Sequence, residues 1–148
     1  MVGPYPNSWG DSKMAKLDSA RVRDHMTTVD QLVKLSPQME VMAAINQLVK
    51  HHISGAPVVN AEGELVGMLS EMDCMQVGLI AAEDTCVAGP VSQFMKTEVV
   101  SVSPEDSLTQ IAQLFLSKPF RRYPVMEGKQ LLGQISRSDV LKAINQMC

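Results

Sequence analysis

After Ser36-Pro37 the apolar positions fall into steps of three and four residues: Val41, Ala44, Ile45 and Leu48. That spacing places them on one face of a helix. The same steps return after Ser103-Pro104 as Leu108, Ile111, Ala112 and Phe115. Shorter apolar runs follow each helix. "APVV" and "ELVGML" read as two strands joined by the turn "NAEG", and "YPVM" and "QLLGQI" do the same across "EGK". The valine-rich "EVVSVS" reads as a strand ahead of the second helix. Ser103 is expected to be the N-cap of that helix, with Pro104 at its first position and Glu105 and Asp106 in its first turn. Ser36-Pro37 should open the matching helix, and Ser70 and Ser136 should open two final ones.

These elements are written twice. Met26 falls on Met95, Ser36-Pro37 on Ser103-Pro104, Pro57-Val58 on Pro124-Val125, Gly67 on Gly133, and Ser70 and Asp73 on Ser136 and Asp139. The fold class predicted is α/β (α+β), with two pseudo-symmetric β-α-β-β-α repeats packed together as one module. The boundaries expected are a tail over 1–20, a first repeat over 21–80, a linker over 81–90 and a second repeat over 91–148. One copy of fewer than about 60 residues would be marginal alone, because small units bury a low fraction of their surface, so the copies should share a core.

Composition narrows the function. Apolar residues make up 45% of the 148-residue chain, enough for a packed core, while the scarcity of aromatic residues leaves its filling to aliphatics and the 11 methionines. The net charge of −3 offers no broad field for nucleic acid or anionic lipid. The N-terminus has no signal-peptide core, and no apolar run reaches membrane-spanning length. Cys74, Cys86 and Cys148 stand far apart without a C-x-x-C, which points to a reducing compartment. A soluble cytoplasmic protein is the expectation. His51-His52 cannot converge on one ion from adjacent helical positions, so no metal site is expected. No phosphate loop, dinucleotide fingerprint or hydrolase elbow occurs.

The S-x-x-D pairs Ser70/Asp73 and Ser136/Asp139 each follow a strand and open a helix. Taken alone, that pattern is a helix capping box. The junction also presents free backbone N–H groups suited to phosphate, and an aspartate there has acceptors for two ribose hydroxyls. One residue can cap and bind.

Paired copies of V-x-x-x-M, S-P, a P-V strand and G-x-x-S-x-x-D resemble the tandem cystathionine β-synthase (CBS) domain pair over residues 21–147. The resemblance implies two clefts that take adenosine nucleotides (AMP, ADP or ATP), or S-adenosylmethionine, as regulatory ligands. It implies one cleft using Ser136, Ser138 and Asp139, walled by Met26, Thr27 and the segment Ser54, Gly55, Ala56 and Pro57. The other would use Ser70 and Asp73, faced by Met95, Lys96, Thr97 and by Arg122, Tyr123 and Pro124. Arg121 and Arg122 stand where copy one has Ser54 and Gly55, so Arg121, Arg122 or both are expected to hold phosphate in the Asp139 cleft. The Asp73 cleft should be empty, take a less charged adenosine compound, or borrow Lys96 or Arg122.

The functional expectation is a sensor with no catalytic residues and no catalytic cofactor. It would act as a homodimer, or in trans on an effector protein. The alternatives are a dimerisation module with vestigial clefts, and a thiol-dependent enzyme using one of the cysteines.

Overall fold

The computed structural model describes residues 16–81 and 88–147. Most of the expected tail and linker, and also Cys86 and Cys148, lie outside these residues. In chain order the elements are β1 (Thr27–Thr28), α1 (Val41–Lys50), β2 (Gly55–Val59), β3 (Leu65–Ser70), α2 (Glu71–Ala81), α3 (Leu108–Ser117), β4 (Arg122–Glu127), β5 (Gln130–Ser136) and α4 (Arg137–Met147). Single 3-10 turns cover Val22–Asp24, Val29–Gln31 and Val91–Gln93. The fold is mixed helix and sheet, and each repeat supplies a helix, a hairpin and a second helix in the order read.

The chain divides into two compact units. One, here the Asp73 unit, contains residues 31–100 and 128–131; the other, the Asp139 unit, contains the residues up to 30 with 101–127 and 132 onward. Each unit therefore joins the helices of one repeat to the leading segment of the other.

In the Asp73 unit, β2 and β3 form an antiparallel hairpin with Gly55 opposite Ser70 and Val58 opposite Gly67. Its turn is built by Asn60, whose Oδ1 accepts from the N–H groups of Glu62 and Glu64 at 3.0 and 2.9 Å. The core is aliphatic: Leu35, Val41, Ala44, Leu48, Ala56, Val58, Leu69, Val77 and Val91. In the Asp139 unit, the strands run in the order β1-β5-β4, with Thr27 opposite Gln134. Its core holds Val22, Leu108, Ile111, Phe115, Tyr123, Val125, Ile135, Val140 and Ala143. The stripes read from the helical spacing are the buried ones, with Ile45 and Ala112 at their partly buried margins.

Both S-P helices start later than expected. Ser107 is the N-cap of α3, its hydroxyl accepting from Gln110 N–H while the Gln110 side chain accepts from Ser107 N–H. Ser103 instead closes a turn: Asp106 N–H donates to Ser103 O at 3.1 Å, and Asp106 Oδ2 accepts from Ser103 N–H at 2.9 Å. Copy one matches, since α1 begins at Val41 after Glu40. The cause is an outside claim on the turn carbonyls. Pro104 O and Asp106 O accept from Arg23 and Val22, and Pro37 O and Met39 O accept from Ser92 and Val91. A helix begun at the prolines would turn those carbonyls inward to i+4 partners.

"EVVSVS" is likewise not a strand. Apart from a single parallel bridge from Val102 to Val125, it runs without ladder partners, as Leu35 does with its one bridge to Val58. Valine content favours extended backbone, but a strand needs a neighbour along its whole length.

Candidate functional site

Both S-x-x-D segments form their capping boxes at a strand–helix junction. Asp73 Oδ2 accepts from Ser70 N–H and from the Ser70 hydroxyl, each at 2.9 Å, and Asp73 N–H donates to Ser70 Oγ at 3.3 Å. Asp139 Oδ2 accepts from Ser136 N–H at 2.8 Å, and Asp139 N–H donates to Ser136 Oγ at 3.2 Å. Here the serine hydroxyl meets Ser138 Oγ at 3.0 Å instead of the carboxylate. Copy one has Met72 in place of Ser138, and Met72 is 75% exposed.

The methionine segments dock against the glycine of each hairpin. Lys96 exchanges both backbone hydrogen bonds with Met68 at 2.9 Å, and Thr27 pairs with Gln134 at the corresponding register of the other unit. Gly67 and Gly133 admit this approach. A Cβ on Gly67 would meet Met95 Sδ at 2.6 Å and Lys96 O at 2.8 Å, and one on Gly133 would meet Thr27 O at 2.3 Å. These glycines leave room for backbone rather than for a ligand.

The equivalent positions then diverge. Lys96 Nζ lies 2.6 Å from Asp73 Oδ1, and Asp73 is only 3% exposed. Its carboxylate is thus engaged on both oxygens. Thr27 stands in the place of Lys96 in the Asp139 unit, and among the described residues no cation pairs with Asp139.

The strand entries differ in the same sense. Arg121 O accepts from Arg137 N–H at 3.2 Å, and Arg137 Nε donates to Phe120 O at 3.1 Å. These bonds tie the start of β4 to the start of α4, so positions 121, 122 and 137 gather at the Asp139 junction. The matching bond in the other unit runs from Glu71 N–H to Ser54 O at 2.9 Å. Serine, glycine and glutamate there replace three arginines. Arg137 occupies a variable position of S-x-x-D, so the motif alone does not mark it as a site residue. Its partner Glu71 in the repeat alignment is the signal that would have found it.

The remaining predicted residues fall as follows. Ser54 and Gly55 lead into β2, where Ala56 and Pro57 are buried. Pro57 O accepts from Leu35 N–H at 2.9 Å, and Pro124 O from Val102 N–H at 3.0 Å. Thr97 is exposed beside Lys96. Tyr123 is 1% exposed, packs on Phe115 with ring centroids 4.7 Å apart, and donates its hydroxyl to Leu114 O at 3.2 Å. Its side chain belongs to the core, and burial holds its phenol above the ordinary value against a smaller opposing influence of Arg137. Burial likewise raises the Cys74 thiol, and the nearby Asp73 and Glu71 charges add to the effect. A thiol held protonated in this way is a poor nucleophile.

The family model for the CBS domain matches twice, over residues 22–79 and 91–146. The chain belongs to the CBS domain family. It is 34% identical over 126 residues to the CBS domain-containing protein YhcV of Bacillus subtilis, covering 85% of each chain. In two further curated relatives it spans 40% and 14% of the length. Among solved structures it is similar to CBSX2 in complex with AMP, with a TM-score of 0.78 and 27% identity over 87% of this chain and 98% of that one. The CBS domain pair of MJ0100, solved with 5'-methylthioadenosine and S-adenosyl-L-methionine, shares the fold with a TM-score of 0.70 at 18% identity, over 87% of this chain and 98% of that one. Among the described residues no helix is long and apolar enough to cross a membrane.

Proposed function

We propose that this CBS pair is a regulatory module that binds an adenosine nucleotide at the Asp139 junction and has no chemistry of its own. The observation that carries the reading is the gathering of positions 121, 122 and 137, all arginine, at a helix start whose Asp139 is free of any cation among the described residues. Phosphate suits the arginines gathered there rather than the helix N–H groups, since those of Ser136, Arg137 and Asp139 already have partners, and ribose hydroxyls suit the aspartate. The AMP bound to CBSX2 and the adenosine compounds bound to MJ0100 support the ligand class. Thr27, Ser136 and Ser138 supply further polar groups in the same unit.

The signal would leave through assembly or a protein partner, because a ligand shifts only an equilibrium between states it binds unequally. A homodimer is the proposed assembly. Its support is the apolar surface of α2, where Met72, Met75, Leu79 and Ile80 are 59–79% exposed, with Leu141 of α4 at the position equivalent to Met75. The same surface favours the second reading, an association module indifferent to nucleotides.

Isothermal titration of ligand-stripped protein with AMP, ADP, ATP and S-adenosylmethionine at fixed salt decides between them. Micromolar binding that Asp139→Ala removes is the expected result. Flat titrations from all four, on folded protein, would overturn the sensor reading and leave the association module.

A further inference from the structure

The two S-x-x-D junctions share backbone, register and capping, so a difference in side chain between them isolates what that side chain does. The largest such difference is Lys96 against Thr27. Lys96 is fixed at its backbone by two hydrogen bonds to Met68 and reaches across to Asp73 Oδ1 at 2.6 Å. Asp73 Oδ2 is already taken by the N–H and hydroxyl of Ser70. A carboxylate so engaged and so buried has little acceptor capacity left for a pair of ligand hydroxyls. To recruit it, a ligand must displace the ammonium and leave a nearly buried anion to be compensated anew, which is unfavourable. Thr27, at the same register against Gln134, has no ammonium to bring to Asp139.

We propose that Lys96 is a built-in occupant that closes the Asp73 junction to adenosine ligands, so that each chain takes one ligand rather than two. The inference rests on the nucleotide reading above, and it makes residues 27 and 96 the determinants of which junction is open. Lys96 acts on the ligand through Asp73, by holding the acceptor that ribose would need. The surrounding charge works in the same direction. Glu71 opens α2 where Arg137 opens α4, so the closed junction also offers less to a phosphate.

The test is a reciprocal exchange read by calorimetric stoichiometry, with AMP and S-adenosylmethionine as the probes on the full chain. Wild type should bind one ligand per chain, and Lys96→Thr should bind two, the second lost on adding Asp73→Ala. Thr27→Lys should weaken the Asp139 junction at least tenfold. A count that stays at one or zero in Lys96→Thr overturns the proposal. So does wild-type binding that Asp73→Ala removes and Asp139→Ala leaves. The nucleotide reading fails separately. If wild type binds nothing while Lys96→Thr gains one Asp73-dependent ligand, the closure stands and the Asp139 reading falls. If wild type binds one Asp139-dependent ligand and Lys96→Thr adds none, the reverse holds. Lys96→Gln serves if the threonine variant fails to fold by circular dichroism. Thr27→Lys tests the idea without exposing Asp73, and undiminished binding there counts against it.

Discussion

Asp73 lies buried with both carboxylate oxygens engaged, whereas Asp139 caps the equivalent helix with one oxygen committed to Ser136 N–H and is only partly buried. The backbone around them is the same: a hairpin, a glycine that admits a docking strand, a capping box and a helix. The difference is carried by four aligned positions around the capping serine and aspartate. Lys96 answers to Thr27, Glu71 to Arg137, and the pair Ser54-Gly55 to Arg121-Arg122. A repeated fold thus sets the stage at both junctions, and the charges at its edges separate a lysine–aspartate ion pair from a junction where three arginines gather.

The widest separation should appear in ligand affinity. Asp139→Ala should weaken the nucleotide ten- to a hundredfold, from about 1.5–3 kcal/mol for a charge-assisted hydrogen bond and about 1.4 kcal/mol per decade. Asp73→Ala should change it less than about threefold by the same titration. Equal losses would erase the contrast.

Stability should separate the units next. Gly133→Ala drives a Cβ to 2.3 Å from Thr27 O, a backbone atom, and is expected to cost about 1–3 kcal/mol in urea unfolding. Gly67→Ala should cost less, because its closest backbone contact, Lys96 O, lies at 2.8 Å and its closest side-chain contact is the flexible Met95 Sδ. Among the aspartates the order should invert relative to binding. Asp73→Ala strips a partner from Lys96 and two donors of Ser70, so its folding loss should exceed that of Asp139→Ala by roughly 1 kcal/mol. A reversed order would mean the Lys96 pair contributes nothing.

Smaller still is the cap. Ser107→Ala should lower stability by about 1 kcal/mol, and Ser103→Ala by clearly less, since only Ser107 caps a helix. The smallest effect is alkaline. Cys74 and Tyr123 hold their protons more tightly folded than unfolded. Their contribution is therefore complete below the unfolded values and fades as pH rises, from about 9 for the thiol and about 10 for the phenol. Urea midpoints at pH 8 and pH 10.5 should show a loss that Cys74→Ser reduces.

Much of this was legible in the residues because local physics produced it. The stripes at 41, 44 and 48 and at 108, 111 and 115 follow from helical spacing, and the hairpins from "NAEG" and "EGK". The S-x-x-D boxes needed only three residues each. What escaped depends on partners far along the chain. Ser103 satisfies every local rule for an N-cap, yet the carbonyls after it bond residues 22 and 23. Tyr123 sits in the expected site segment, but its ring packs on Phe115 in the core. The family resemblance implies Lys96 facing Asp73, where it is one of two cations that cleft could borrow. That its ammonium would rest on the carboxylate itself required the two-bond docking to Met68, which no spacing encodes.

The exchange of leading segments has a consequence for how the molecule is made. Val22 and Thr27 find their partners at Asp106 and Gln134, roughly a hundred residues later. On a ribosome extending at about 5–20 residues per second, the first-made segment waits seconds for the strand that completes its sheet. The Asp73 unit needs little beyond residue 131 to close, while the Asp139 unit also needs the last helix. Vectorial synthesis thus puts the ion-paired junction in place first and the arginine-rich junction last. On the nucleotide reading proposed above, the Asp139 site forms only after the segment from residue 132 through α4 has emerged.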